Sequence, residues 1–369
     1  MTLVVVVGAL FYAAYINASD HLARANIASG LRFWNNTAGF DISQTLIAYS
    51  ASTSSFGRAF WVSLLNTLLV AALGIVLATV LGFTIGIARL SRNWLVARLA
   101  GGYVELIRNV PLLLQLLFWY NAVLKALPEL RQSLVLPGGG LLNNRGLFLP
   151  APLFKPGFGE VLTALLVGVA VTYVLYLRAR RRQEQTGVQP RIFWWRLGLI
   201  GGLPLAVFAL AGFPLSFSVP QIGRFNVAGG LEILPEFAAL LLALSVYTAA
   251  FIAEVVRAGI LAVAPGQTEA AQALGLRAGL TLRLIVIPQA MRVIVPPLTS
   301  QYLNLIKNSS LAVAIGYPDL VQVFAGSVLN ITGQAVEVIA ITMAVYLTIS
   351  LATSLLMNLY GRRTALVER

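Results

Sequence analysis

Apolar residues in this chain gather into long unbroken runs, and the polar positions between them mark off about eight stretches. The runs are Thr2–Ile16, Phe60–Ile87, Tyr103–Leu127, Val161–Leu177, Ile192–Phe213, Leu231–Val263, Val293–Ile315 and Glu337–Met357. Continuous runs of this kind predict transmembrane helices. A membrane barrel would show strict alternation instead. Thr2–Ile16 reaches roughly 22 Å as a helix, short of the ~30 Å hydrocarbon core. No basic residues precede it, so it is read as a first transmembrane helix with an incomplete cytoplasmic end and not as a signal peptide. Pro111 breaks the third run near its start, Pro235 opens the sixth, and Pro296-Pro297 lie near the start of the seventh.

The polar stretches between the runs differ in character. Asn17–Arg58 is rich in Ser, Thr and Asn and is expected outside the membrane, with interfacial pieces. Pro128–Gly159 carries PGGG at 137–140 and further Pro and Gly, so it reads as a loop with re-entrant or surface elements. Ser216–Gly230 is a second polar loop.

Composition agrees with a polytopic helical membrane protein. The chain is 58% hydrophobic and 11% charged, whereas a soluble domain carries about 25% charged residues. Its net charge of +13 is assigned to cytoplasmic loops and not to a nucleic-acid surface. Arg178, Arg180, Arg181, Arg182, Arg191 and Arg196 cluster in one short loop against Glu184, which places that loop inside. Both termini then face the cytoplasm, as do Arg89, Arg92 and Arg98, Arg277 and Arg283, and Arg362 and Arg363. Gln185 falls inside and Gly139 outside. The absence of Cys excludes disulfides and thiol chemistry. The single histidine, His21, reads as a solvated residue in a polar segment.

Between the sixth and seventh runs stands EAAQALGLRAGLTLRLIVIP, from Glu269 to Pro288. Good helix formers extend to Leu274, and the small alanines offer a narrow surface that can enter a groove on a partner. Gly275 then suits a sharp turn or C-cap with no room for a side chain. This segment resembles the EAA loop of binding-protein-dependent ABC importers, with Ile287 where Leu is usual. SLLNTLLVA at 63–71, YVELIRNVPLLLQLLFWY at 103–120, YTAAFIAEVVRAGILAVAPGQTEAA at 247–271 and SQYLNLIKNSSLAVAIGYPDL at 300–320 resemble polar amino-acid permeases of that class. An extra first span and a two-span insert resemble a narrower group, the Q-type membrane subunits of general L-amino-acid permeases of Gram-negative bacteria.

That resemblance implies an all-α polytopic membrane protein. A five-helix MetI-like permease core would be joined by an extra N-terminal helix and a two-helix insert. The organisation would be 1–58, N-terminal helix and periplasmic segment; 59–127, first part of the core; 128–230, insert; and 231–369, second part of the core with the EAA loop at 265–288. It further implies a bacterial inner-membrane importer subunit moving L-amino acids inward. The expected partners are a cytoplasmic ABC ATPase dimer, a second permease subunit that is a paralogue, and a periplasmic amino-acid-binding protein. Docking on the ATPase would use Glu269, Ala270, Ala271, Gly275 and Pro288.

The chain has no G-x-x-x-x-G-K-[ST], no His/Cys cluster and no recognisable nucleophile–base pair. It is therefore expected to hold no cofactor and to be no enzyme itself; ATP would be bound by the partner. Lys307, Asn308, Ser309 and Ser310 interrupt an apolar run, with Lys307 roughly 22 Å beyond Arg292 along a helix. A buried Lys is expensive, so these residues, with Asn304, Gln115 and Tyr247, are candidates for the substrate path. The bland alternative is a Lys307 that snorkels to the interface or pairs structurally. Glu105/Arg108 and Glu254/Arg257 repeat Glu-x-x-Arg near the cytoplasmic ends of two runs. They read either as local salt bridges or as a gate or coupling element. Asn66 and Thr67 are expected to join helices by hydrogen bonds or to line a pore, and Gly74, Gly82 and Gly86 to permit close packing. Two other functions remain open at this point. One is an ion-coupled secondary transporter, against which the EAA-like segment argues; the other is a membrane scaffold, against which the buried polar groups argue.

Overall fold

A computed structural model describes residues 5–6, 8–10, 12–13, 16–17, 30–188, 193–224 and 226–364. Part of the first apolar stretch, together with His21 and Arg191, lies outside the described residues. The chain forms two compact units, one comprising Met1–Ala126 and Leu234–Arg369, the other Leu127–Ile233. Among the described residues six helices are long and apolar enough to cross a membrane, and two shorter apolar helices accompany them.

In the first unit, α1 runs from Phe56 to Ala88. Ser55 caps it, its hydroxyl accepting from the Arg58 N–H. At 33 residues, or about 50 Å, α1 exceeds a bilayer core. Its first turns carry Phe56 and Phe60 into a buried cluster with Phe33, Phe324 and Val338. Trp34 packs on Phe60 there, ring centroids 5.0 Å apart. Residues 30–55 are thus a packed cover on this end of the core.

Helix α6, Pro235–Leu261, lies along α1. The contact depends on glycine. A Cβ at Gly82 would sit 2.6 Å from Ile252, and one at Gly86 would sit 2.7 Å from the Ala253 carbonyl oxygen. Gly86→Leu is expected to force the helices apart at a cost of about 1–3 kcal/mol. Thermal unfolding of the detergent-solubilised protein checks this. Gly101→Leu, where nothing lies within 4 Å, is the control, and equal transitions would refute the close approach.

The run over Tyr103–Leu127, with its expected break at Pro111, is divided between two helices. Helix α2, Trp94–Asn109, ends before Pro111, and α3, Leu112–Leu124, begins after it. Val110 is extended because Pro Cδ clashes with a helical predecessor. After α6 come α7, Pro265–Ala273, and α8, Ala278–Ile315. The second half of the expected 265–288 loop is therefore helix. The span expected from Val293 starts fifteen residues earlier, so Pro296 and Pro297 lie in its interior. A π turn over Leu282–Val286 precedes Pro288, which lacks the N–H that would bond back to Leu284. Helices α9, Val321–Thr332, and α10, Ala335–Thr364, complete the unit.

The second unit holds α4, Phe158–Thr186, and α5, Phe193–Leu210. A Cβ at Gly168 would collide with the Leu199 carbonyl, so glycine is what lets these two helices touch. The segments expected as loops at 128–159 and 216–230 contain short strands. Leu134–Leu136 (β1), Gly140–Asn143 (β2) and Gly146–Leu149 (β3) pair antiparallel, and Leu231–Ile233 (β8) joins β3. Ala151–Phe154 (β4) pairs with Leu215–Ser218 (β5), and Gln221–Ile222 (β6) with Val227–Ala228 (β7). Gly138 and Gly139, both with positive φ, make the first turn. Strands this short lack enough alternation to stand out from a Gly/Pro-rich composition.

Candidate functional site

Polar residues of the first unit gather at three levels. Near the end of α1, a cavity of about 430 Å³ is lined by Arg89, Val104, Glu105, Arg108, Asn109, Phe251 and Glu254. Glu254 is its ionic centre. It pairs with Arg89 of α1 and, within its own helix, with Arg257 at 2.6 Å. The other expected pair does not form. Arg108, in the last turn of α2, lies over the Phe251 ring at 5.0 Å, a cation–π contact. Glu105 is exposed and has no ion-pair partner among the described residues. The two Glu-x-x-Arg motifs thus behave differently, because α6 offers Arg108 an aromatic face.

Tyr247 belongs to this level. Its ring lies 4.9 Å from Phe251. Gln115 does something local: its Nε2 donates to the carbonyls of Ile107 and Val110, at 2.8 and 2.9 Å, which the Pro111 break leaves free. The buried Gln115 Oε1 has no hydrogen-bond partner among the described residues.

Lys307 and Asn304 are exposed on α8, and Asn308 is half-buried. Ser309 is buried. Both serine hydroxyls donate inside the helix, Ser309 to the Ile306 carbonyl and Ser310 to the Lys307 carbonyl, each at 2.7 Å, and the Ser309 hydroxyl also meets that of Tyr346. The structure therefore divides the expected path group. Tyr247 sits against Phe251 and Gln115 at the helix break, while Asn304, Lys307 and Asn308 stay together on α8, the first two exposed.

A third level lies where α1 meets the turn after α8. Asn66 is fully buried and donates to the Gln44 and Pro318 carbonyls, both at 2.9 Å. Thr67 accepts from the Leu320 N–H at 2.9 Å. These residues join segments, the first of the two readings their sequence positions allowed. Asp319, in that turn, accepts from the Gln322 N–H at 2.8 Å and from the Tyr346 hydroxyl at 3.2 Å. Burial pushes its carboxyl up to about 7, against those hydrogen bonds. Asp319 caps α9 and ties it to α10, a role its sequence position did not announce.

The EAA-like segment forms a helix, a turn and a second helix. Glu269 and Ala270 are exposed on α7, while Ala271, grouped with them in the sequence, is buried. Gly275 has φ +76°. Its N–H donates to the Gln272 carbonyl at 2.9 Å, and the Leu276 N–H to the Ala271 carbonyl at 3.0 Å, the Schellman pattern of helix termination. A Cβ at Gly275 would meet nothing within 4 Å. Glycine is needed there for its backbone angle, and the expectation that a side chain would lack room is corrected. Gln267 and Gln289 join α7 to α8 at 3.1 Å. Pro288 is exposed on α8.

Residues 74–366 match the model of the binding-protein-dependent transport system inner membrane component. The chain belongs to this family.

Full-length relatives of this permease are close. It is 52% identical to the General L-amino acid transport system permease protein AapQ of Rhizobium johnstonii, over all of this chain and 92% of that protein. It is 53% identical to the Putative amino-acid ABC transporter permease protein YhdX of Escherichia coli, over 99% and 91%. The Glutamate/glutamine/aspartate/asparagine transport system permease protein BztB of Rhodobacter capsulatus is 44% identical, over 100% and 94%. Among solved structures, an amino acid ABC transporter with histidines is similar in fold. The TM-score is 0.50 at 23% identity, covering 84% of this chain and 95% of that one. The permease is a polytopic, mostly helical membrane protein.

Arg89 is the member of this ionic cluster that the sequence of this permease concealed. At the end of α1 it reads as one more inside-facing charge. Only the crossing of α1 with α6 shows which carboxylate it meets.

Proposed function

We propose that this permease is the membrane subunit of an ATP-driven importer that carries L-amino acids from periplasm to cytoplasm. The observation that carries the reading is α7. This short helix, exposed at Glu269 and Ala270 and stopped by Gly275, stands between two long apolar helices in a chain half identical to amino-acid permeases. A polar, protruding helix in that position fits docking by an ATPase. Glu269, Ala270 and the Gly275 turn make the contact, Ala271 supports it from beneath, and Pro288 borders it. An ATPase dimer supplies the energy, a periplasmic binding protein delivers the substrate, and a paralogous permease completes the path. Uptake of labelled amino acids into proteoliposomes holding the whole complex tests this. Transport should require internal ATP and survive ionophores. Loss of transport on collapsing the ion gradients would favour an ion-coupled carrier.

In this reading both termini and the arginine-rich end of α4 face the cytoplasm. The strands of the second unit then face the periplasm. Gly139 is a poor labelling site, because φ is +86° there and a Cβ would lie 2.9 Å from Val219. Val135 on β1, 74% exposed, serves better. A membrane-impermeant maleimide should label Val135→Cys in intact cells and spare Gln185→Cys. The reverse pattern would invert the topology.

Lys307, with Asn304 and Asn308 beside it, is the proposed contact for the substrate carboxylate. In the outer half of the bilayer an uncompensated Lys costs less than the roughly 2.5–3.5 kcal/mol of mid-depth, and an anionic substrate group offsets that cost. Glu254, Arg89 and Arg257 close the cytoplasmic end. Lys307→Met should reduce uptake of every substrate at least tenfold, with assembly and binding-protein affinity unchanged. Wild-type uptake at equal expression would remove α8 from the path.

A further inference from the structure

We infer that the arginine-rich end of the α4–α5 hairpin is a binding site for anionic phospholipid. The argument begins with length. Helix α4 has 29 residues; Phe158–Leu177 covers roughly 30 Å, the depth of the hydrocarbon core, so Arg178–Thr186 projects roughly 13 Å beyond it. That projection starts where lipid phosphates lie.

Most of the charge there is unneutralised, and it is exposed. Arg178, Arg180, Arg181 and Arg182 are exposed on α4, and Arg196 on the first turn of α5. Among the described residues only Arg180 has an acid partner, Glu184 at 3.1 Å. Surplus cations on a short loop explain orientation, but orientation alone does not require aromatic rings at the same depth. Here Arg196 lies over the Tyr176 ring at 5.4 Å, which sets the start of α5 level with the end of the apolar part of α4. Trp194 and Trp195 beside it are 72% and 66% exposed. Indole rings of this kind settle at the headgroup level of a bilayer. The close approach at Gly168 holds the two helices in that register.

The end of the hairpin therefore presents guanidiniums and indoles to one narrow zone. Guanidinium matches phosphate in a bidentate fork, and the indole bodies rest on the first acyl carbons. A nucleic acid or an acidic protein surface would satisfy the charges but would leave Trp194 and Trp195 without their apolar counterpart. Phosphatidylglycerol or cardiolipin satisfies both. The inference concerns the hairpin alone; the importer reading enters only in naming the complex used for the test.

Arg178→Gln/Arg181→Gln/Arg182→Gln is the informative variant, made in the complete transporter complex. After mild-detergent purification, the retained lipid is measured by mass spectrometry as phosphatidylglycerol plus cardiolipin against phosphatidylethanolamine. Each charge near an anionic surface changes partition by about fivefold, so the ratio should fall at least tenfold. The triple Lys variant, which keeps the charge, should restore most of it. Trp194→Ala/Trp195→Ala should lower the ratio without any change of charge. If the Gln variant fails to insert, wild-type complex washed at about 1 M salt, where screening acts within ~3 Å, should lose the same lipids. An unchanged ratio in both the Gln variant and the salt wash would overturn the inference. So would loss of the ATPase subunits from the Gln variant with its lipid intact, which would make the arginines a protein contact.

Discussion

Replacing Glu254 by leucine is expected to destabilise the permease by roughly 1–3 kcal/mol and to abolish uptake. The change leaves Arg89 and Arg257 facing one another without the carboxylate that both contact. Removing one partner of a fully buried ion pair costs about 3–5 kcal/mol. The value here is lower because the three side chains keep between 17% and 32% exposure, so water and salt screen them in part. A double-mutant cycle isolates the interhelical bond. Arg89→Leu alone should also destabilise, and Arg89→Leu/Glu254→Leu should lose less than the sum of the two, with a coupling of about 1 kcal/mol or more. Thermal unfolding in detergent gives the energies, and uptake at equal expression gives the function. Strict additivity would mean that α1 and α6 are not joined through this pair.

Gly275→Arg should separate folding from docking. At φ +76° an L-residue costs about 1–2 kcal/mol, enough to loosen the end of α7 but too little to prevent insertion. The space above the position is open, so the arginine side chain projects outward, onto the face where the ATPase is proposed to sit. Co-purified ATPase should fall at least tenfold while expression and membrane insertion stay near wild type. Gly275→Asn tolerates the same left-handed backbone with a smaller, uncharged side chain, and should retain most of the ATPase. Equal loss in both variants would assign the effect to the turn itself. Full retention in both would remove this loop from the interface.

Much of the molecule is legible from residues near one another in the chain. Gly275 ends α7 because its sequence neighbours favour helix and it alone favours a left-handed stop. Pro111 breaks a run because it removes an N–H and constrains Val110, though its effect is a complete division into α2 and α3. The GxxxG spacing of Gly82 and Gly86 does mark a helix contact, and Asn66 and Thr67 do join segments. In each case the cause lies within a turn or two of the residue.

Other features depend on what the fold brings from afar. Glu105/Arg108 and Glu254/Arg257 have the same spacing, yet one pair separates and the other recruits Arg89. Phe251 and α1 make that difference, and neither adjoins the motifs in sequence. Gln115 is directed to its own helix break, and the hydroxyls of Ser309 and Ser310 donate within α8. A list of polar residues in apolar runs cannot reveal those internal uses.

By itself, the sequence determined that the chain is a helical membrane protein and where its apolar runs lie, because hydrophobicity and helix length are properties of continuous segments. It also carried the family signature, which rests on short motifs. Only the tertiary structure decided which charges meet, that Asp319 caps α9 while Tyr346 ties it to α10, and that the segments at 128–159 and 216–230 hold short paired strands. Those outcomes are set by contacts between residues distant in the chain, whose partners exist only once the helices have packed.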